Sequence, residues 1–193
     1  PQGLTAALTG GASAMCYTSE DVMAATFNVD LINDVGRCIG EDCLAMGYSG
    51  LYGPGINMHR TAYCGRNFEY YSEDPFVAGT ICAAEVQGIQ SKGVYVYLKH
   101  VALNDSETSR RGVNTWLNEQ TAREIYLEVA DKAITDGGAW SVMTGFNRWG
   151  ATWCGANQNL LTGFLREELG MRGMCITDFS GSSQYMDLSL IHI

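Results

Sequence analysis

The chain has 193 residues, 46% of them hydrophobic, and its 12 Lys and Arg against 21 Asp and Glu give a net charge of −9. This length and apolar content suffice for one domain with a buried core, or for part of one. Binding to a phosphate backbone needs clustered cations, and no such cluster occurs, so we expect no nucleic acid partner. No apolar run approaches the ~18 residues of a membrane span, so we expect no membrane partner either.

Seven cysteines lack the C-x-x-C spacing of zinc and redox sites, so they predict neither a metal site nor a cofactor. Cys38 and Cys43 lie five residues apart in a predicted helix and would not share a face. We expect most of the seven to be buried free thiols, which favours a cytoplasmic location.

Predicted helices and strands alternate along the chain. The first helix begins after Asn28, a good N-cap, and ends at Gly47. Its apolar residues recur at near-helical spacing: Leu31, Val35, Ile39 and Leu44. A second helix begins at Asp74-Pro75, with proline in the first turn, and ends at Gly93.

The remaining segments continue the alternation. Residues 94–100, VYVYLKH, are rich in β-branched and aromatic residues and predict a strand. The other predicted helices span 118–138 and 157–170, and the other strands lie within 50–55, 139–147 and 174–179, where Met174 to Ile176 read as buried.

Strands that alternate with helices of this length predict parallel βαβ units. No G-x-G-x-x-G follows a strand, so a dinucleotide-binding domain lacks its fingerprint. Polar residues instead follow the strands, and the ends of barrel strands converge on one face. About four units are recognisable, so we predict an α/β fold that is a partial (β/α)8 TIM-like barrel. The candidate residues at this face are Arg66, Lys99, His100, Met143 to Asn147, and Asp178.

Each candidate residue also has an ordinary structural interpretation. Lys99-His100 would suit a solvated strand end, and Met143 would suit a core position. Arg66 would pair with Glu69 or Glu73 across its loop. Asp178 would begin a turn or cap a helix. Only their shared position at strand ends favours a functional site.

Residues 53–79 read GPGINMHRTAYCGRNFEYYSEDPFVAG, and LKH, VMTGFN, LREELGMRG and ITDF follow in this order. The chain thereby resembles the barrel domain of glycoside hydrolase family 3, of the β-glucosidase type, from Pro1 to about Met186. The G-R-N-F-E-Y-Y-S-E-D-P block is its most specific part. The Lys-His pair that follows Arg66 strengthens the resemblance.

The resemblance implies a retaining hydrolase of β-glucosides or related oligosaccharides, with no metal and no cofactor. Such an enzyme needs one carboxylate to attack the anomeric carbon and a second carboxyl to protonate the leaving oxygen. Asp178 matches the nucleophile, and Arg66, Lys99 and His100 match residues that hold the hydroxyls of the sugar in subsite −1. Met143 matches a wall of the pocket, and Phe179 matches a hydrophobic residue at the border of the cleft.

The chain departs from the family pattern at several points. Phe146 stands where many members have a tyrosine that can hydrogen-bond the nucleophile. The family's sugar-binding aspartate precedes the stretch that matches PQGL, and its acid/base glutamate usually follows the barrel in a second domain. Glu107 lies on a barrel loop and is not assigned that role. We therefore expect the chain alone to be inactive.

The last six residues, LSLIHI, match one reading frame of a transposon-derived sequencing adaptor. We expect a barrel segment over 1–187 and a non-native tail over 188–193.

Two other functions stay open. Lys99 at a barrel strand end would suit a Schiff base in aldolase-type chemistry if burial kept its amine neutral. The chain would alternatively be a non-catalytic sugar-binding fragment.

Overall fold

The computed structural model of the chain describes residues 15–179, and the expected tail over 188–193 lies outside them. The helices in this range are α1 (Glu20–Ala25), α2 (Val29–Ala45), α3 (Pro75–Gln90) and α4, which is α-helical over Glu119–Thr121, π-helical over Ala122–Leu127 and α-helical over Glu128–Thr135. A π-helix follows over Asn159–Glu168, and short 3-10 turns cover Asn67–Glu69 and Cys154–Ala156. The strands are β1 (Gly50–Leu51), β2 (Tyr95–Val101), β3 (Asn114–Thr115), β4 (Ser141–Thr144), β5 (Arg148–Trp149), β6 (Thr152–Trp153) and β7 (Cys175–Thr177).

The main sheet consists of four parallel strands in the order β1-β2-β4-β7. A helix lies between each strand and the next, so the chain forms successive βαβ units that cover the sheet on one side. The carboxyl ends of these strands face the same way, as at the catalytic face of a (β/α)8 barrel. The predicted α/β fold with a partial barrel is confirmed.

Helix α2 begins and ends close to the predicted residues. Asn28 caps it, since the side-chain oxygen accepts a hydrogen bond from the amide of Leu31. Of the four apolar residues at near-helical spacing, Val35 and Ile39 pack against the core, whereas Leu31 and Leu44 are exposed. The buried residues are Ile32, Gly36, Gly40 and Cys43.

Two glycines explain this face of α2. A Cβ atom added to Gly36 would collide with the carbonyl oxygen of Glu85 in α3. One added to Gly88 of α3 would collide with the carbonyl oxygen of Asn33. The backbones of α2 and α3 thus meet where neither carries a side chain, and a count of apolar residues does not detect such contact.

The last strand is less buried than the sequence predicted. Met174 is 52% exposed, and Cys175 and Ile176 are only half-buried. Strand β7 pairs with β4 on one side and forms an edge of the described sheet, so its residues are covered from fewer directions.

A second, three-stranded sheet joins the loops that follow β2 and β4. Strand β3 pairs in parallel with β5, and β5 pairs with β6 as a hairpin. Gly150 in the hairpin turn has a φ of 59°, a conformation that favours glycine. The two loops are therefore tied to each other above the carboxyl ends of the main sheet.

None of the seven cysteines, all of which lie within residues 15–179, forms a disulfide. Cys38 is exposed and Cys43 is buried, as the helical spacing predicted. Among the described helices, none is both long and apolar enough to span a bilayer.

Candidate active site

Four of the predicted site residues meet at the carboxyl ends of the parallel strands. The Nη2 atom of Arg66 lies 3.1 Å from the Nε2 atom of His100. The same Nε2 atom lies 3.5 Å from the Oδ2 atom of Asp178. Lys99 joins them through a shared partner, Glu69. Arg66, Lys99, His100 and Asp178 thus form one cluster from three separate parts of the chain.

An irregularity in the backbone of β2 orients the side chains of Lys99 and His100. In the pairing of β2 with β4, Lys99 is opposite Met143 and Val101 is opposite Thr144, so His100 is an extra residue in β2. A bulge of this kind changes the direction of a side chain next to it. It explains how Lys99 and His100, although adjacent in a strand, both contribute to the cluster.

The loop that carries Arg66 is held by His59. The Nε2 atom of His59 lies 2.8 Å from the carbonyl oxygens of both Asn67 and Tyr70, and acts as the donor to these acceptors. These contacts fix the turn at Asn67–Glu69, and the turn fixes Arg66 next to it.

Glu69 bridges two of the cations. Its carboxylate accepts hydrogen bonds from Nε and Nη2 of Arg66 at 2.7 and 2.8 Å, and from Nζ of Lys99 at 2.7 Å. Burial alone would raise the pKa of Glu69, but the bonds from Arg66 and Lys99 outweigh burial and hold the pKa below its ordinary value. The predicted pairing of Arg66 with Glu69 is confirmed, and the link from Glu69 to Lys99 was missed.

His100 is a neutral imidazole. It is only 2% exposed, and burial, with the nearby cations Arg66 and Lys99, lowers its pKa to about 3. Its contact with Asp178 is therefore not an ion pair at neutral pH, because the imidazole carries no charge there.

The hydrogen bonds of Asn57 assign the tautomer of His100. The side-chain amide of Asn57 donates to the carbonyl oxygen of His100 at 3.1 Å, so the Oδ1 atom of Asn57 is the acceptor. That oxygen accepts from the backbone amide of His100 at 2.8 Å and lies 3.1 Å from Nδ1. The proton is thus on Nδ1, and Nε2 accepts from Arg66.

Asp178 follows the last residue of β7 directly. Its amide donates to the carbonyl oxygen of Thr144 at 3.3 Å, which continues the pairing with β4. Its side chain is 15% exposed, and Oδ1 accepts from the amide of Phe179 at 2.6 Å. The bond to Phe179 is a local turn contact, while Oδ2 faces the imidazole of His100.

The remaining predicted site residues are Met143, Phe146 and Phe179, and they differ in burial. Met143 is buried in β4, between Lys99 and Ile176 in the strand register. Phe146 is buried, and the guanidinium of Arg110 lies 4.6 Å from the centre of its ring. Phe179 is 79% exposed, so its assignment to the border of the cleft stays a prediction.

Of three groups around the cluster, Glu69 was predicted only as a partner of Arg66, Glu107 was predicted only to lie on a barrel loop, and Asn57 was missed. Glu107 pairs with Arg110 at 2.9 Å and lies 3.9 Å from Arg66. Glu69 lies three residues after Arg66 in the GRNFE block, which was the available signal. Asn57 is a buried asparagine in a loop, and nothing in the sequence pattern marks it. Between residues 15 and 179, no group of three or more His, Cys, Asp or Glu is placed to hold a metal ion.

Comparison with known proteins identifies the family. Residues 7–189 match the profile described as the glycosyl hydrolase family 3 N-terminal domain. The chain is 39% identical to thermostable β-glucosidase B of Acetivibrio thermocellus, over 86% of this chain and 22% of that protein. It is 36% identical to an exo-α-(1→6)-L-arabinopyranosidase of Bifidobacterium longum, over 86% of this chain and 22% of that one.

A solved structure supports the same relationship. β-Glucosidase 3B of Thermotoga neapolitana, in complex with glucose, has a TM-score of 0.83 and 40% identity, over 85% of this chain and 23% of that one. The chain spans about a fifth of the length of these relatives. The chain therefore belongs to glycosyl hydrolase family 3, within its N-terminal domain.

Proposed function

We propose that the chain is the part of a retaining β-glucosidase that holds the nucleophile and most of the −1 subsite. The enzyme removes terminal non-reducing β-D-glucosyl residues by double displacement. The observation that carries this proposal is the position of Asp178, at the carboxyl end of a barrel strand and 3.5 Å from a neutral imidazole that accepts from Arg66. The relatives named β-glucosidases support the substrate class.

In the first displacement, the carboxylate of Asp178 attacks the anomeric carbon as the bond to the leaving oxygen breaks. This step gives a covalent glycosyl-enzyme, which water then hydrolyses to regenerate the carboxylate. The donors of Arg66 and Lys99 and the ring of His100 suit the vicinal hydroxyls of a sugar. Their mutual contacts hold them in place before substrate binds, which lowers the cost of orienting the ring.

The proton for the leaving oxygen comes from a carboxyl outside the described residues. Glu107 is the nearest candidate on the barrel loops, but it forms ion pairs with Arg110 and Arg66.

Two observations argue against the alternatives. A Schiff-base lysine attacks as a neutral amine, whereas Nζ of Lys99 forms an ion pair with Glu69 at 2.7 Å. A sugar-binding fragment without catalysis needs no carboxylate where Asp178 lies, beside the cations that bind hydroxyls.

A 2-deoxy-2-fluoro β-glucoside with a good leaving group tests the proposal in the full-length protein. The fluorine slows the second displacement, so the glycosyl-enzyme accumulates and mass spectrometry locates it. We expect the label on the peptide that contains Asp178. A label elsewhere, or inactivation without a label, would overturn the nucleophile assignment. Borohydride trapping of a carbonyl substrate on Lys99 would instead support Schiff-base chemistry.

The chain of 193 residues gives a second test. We expect it to hydrolyse no cellobiose, because that leaving group needs a proton donor, worth roughly 10²–10⁴ in rate. Steady hydrolysis of cellobiose by the purified chain would show that the acid, such as Glu107, lies inside it.

A further inference from the structure

The side chains of half-buried Glu20 and buried Glu85 have no part in the mechanism proposed above. Glu20 is in the first turn of α1, and both of its carboxylate oxygens accept from the amide of Gly55, at 3.0 and 2.9 Å. Glu85 is on α3, only 3% exposed, and its Oε2 atom accepts from the hydroxyl of Tyr71 at 2.6 Å.

Gly55 connects Glu20 to the candidate active site. It forms a parallel bridge with Lys99, and the residues on either side of it bond to the same backbone. The amide of Ile56 donates to the carbonyl oxygen of Lys99 at 2.6 Å, and the amide of Lys99 donates to that of Pro54 at 3.1 Å. The position of Gly55 therefore sets the position of the Lys99 backbone.

Gly55 also contacts the partner of Lys99. A Cβ atom on Gly55 would collide with the carbonyl oxygen of Glu69 and lie 2.9 Å from the ring of Tyr70. Gly55 is thus packed between the two residues that form the Lys99–Glu69 ion pair. A shift of Gly55 would change the distance between them.

Electrostatics at Glu20 oppose its charged form. Burial raises the pKa of Glu20 well above its ordinary value, and Glu85 and Glu69 raise it further, while the Gly55 amide and Lys99 oppose the increase.

We propose that Glu20 is a positioning residue for Lys99, because its carboxyl holds the amide of Gly55 and Gly55 holds the backbone of Lys99. Loss of the bonds from Glu20 would free Gly55 to shift and would change the distance between Lys99 and Glu69. The role of Lys99 in sugar binding rests on the proposed function, whereas this positioning of Lys99 does not.

Hydrogen exchange at the amide of Ile56 tests this positioning role in the full-length protein, because the amide donates to the carbonyl oxygen of Lys99. At about pH 6, Glu20→Ala should lower its protection factor at least about tenfold, and Glu20→Gln, which still accepts from Gly55, should restore most of it. Asp21→Asn in the same turn of α1 is the matched control and should leave protection unchanged. If Glu20→Gln exchanges as fast as Glu20→Ala, or Glu20→Ala exchanges like the wild type, Glu20 does not position Lys99.

If the protein hydrolyses β-glucosides, Glu20→Ala should also raise KM more than it lowers kcat. If it hydrolyses none, the proposed function fails, while the exchange data still decide whether Glu20 positions Lys99.

Discussion

The imidazole of His100 lies between a cation and the candidate nucleophile, with its Nε2 atom 3.1 Å from Arg66 and 3.5 Å from Asp178. Because Asn57 fixes the ring proton on Nδ1, Nε2 has no hydrogen to donate to the carboxylate. The positive charge next to this ring thus comes from Arg66 rather than from a histidinium. Glu69 and Glu107 in turn balance the charge of Arg66.

Replacement of the nucleophile should abolish turnover without unfolding the protein. Asp178→Asn keeps the size of the side chain and its bond to the Phe179 amide, but it removes the attacking carboxylate. We expect kcat on an aryl β-glucoside to fall by about 10⁴ or more. Asp34→Asn, at an exposed position on α2, is the control and should leave kcat unchanged. Retention of more than about a tenth of the wild-type activity by Asp178→Asn would reject the assignment.

Loss of the side chains proposed to bind the sugar should weaken transition-state binding by a moderate amount. Lys99→Ala and His100→Ala should each lower kcat/KM. The loss of transition-state stabilisation should be about 2–4 kcal/mol, the range for buried hydrogen bonds with charged groups. The loss should shrink on a deoxy substrate that lacks the hydroxyl each residue contacts. Equal losses on intact and deoxy glucosides would indicate that the two residues do not bind hydroxyls.

His100 should stay neutral across the working pH range. Its pKa in the folded state is about 3, below the ordinary 6.5, so the unfolded chain binds more protons between these values. The stability that follows is present above about pH 6.5 and is lost as the pH falls toward 3. Nitrogen-15 spectra of the imidazole should show one neutral tautomer, protonated on Nδ1, from about pH 5 to 8. Titration of this ring near pH 6.5 would contradict the assignment.

The contact between α2 and α3 should not tolerate a methyl group. Gly88→Ala brings a Cβ atom against the carbonyl oxygen of Asn33, and we expect it to destabilise the domain by about 1–3 kcal/mol. Gly163→Ala is the matched control, because a Cβ at Gly163 meets nothing within 4 Å. Urea unfolding, followed by tryptophan fluorescence, measures the free energy of unfolding of both variants. A Gly88→Ala protein as stable as the wild type would show that the helices can separate at little cost.

The helices and strands could be predicted from local sequence patterns, and the site residues from the order of the motifs. Periodicity and caps, such as Asn28, marked most helices and strands, and the order of motifs marked the family. The inner face of α2 was not predictable, because Gly36 and Gly40 carry no apolar signal and their role depends on the approach of α3. The bond between Glu20 and Gly55 was also out of reach, since residues 35 positions apart become neighbours only through tertiary packing.

The three-stranded sheet over the carboxyl ends has a practical consequence for exchanging loops between relatives. Strand β3 belongs to the loop after β2, and β5 and β6 belong to the loop after β4, so each loop supplies the hydrogen-bond partner of the other. The indole nitrogen of Trp153 in β6 also donates to the carbonyl oxygen of Gly145, beside Phe146. A graft of one loop alone leaves a strand without its partner. Specificity should therefore transfer between relatives only when both loops are exchanged as a single block.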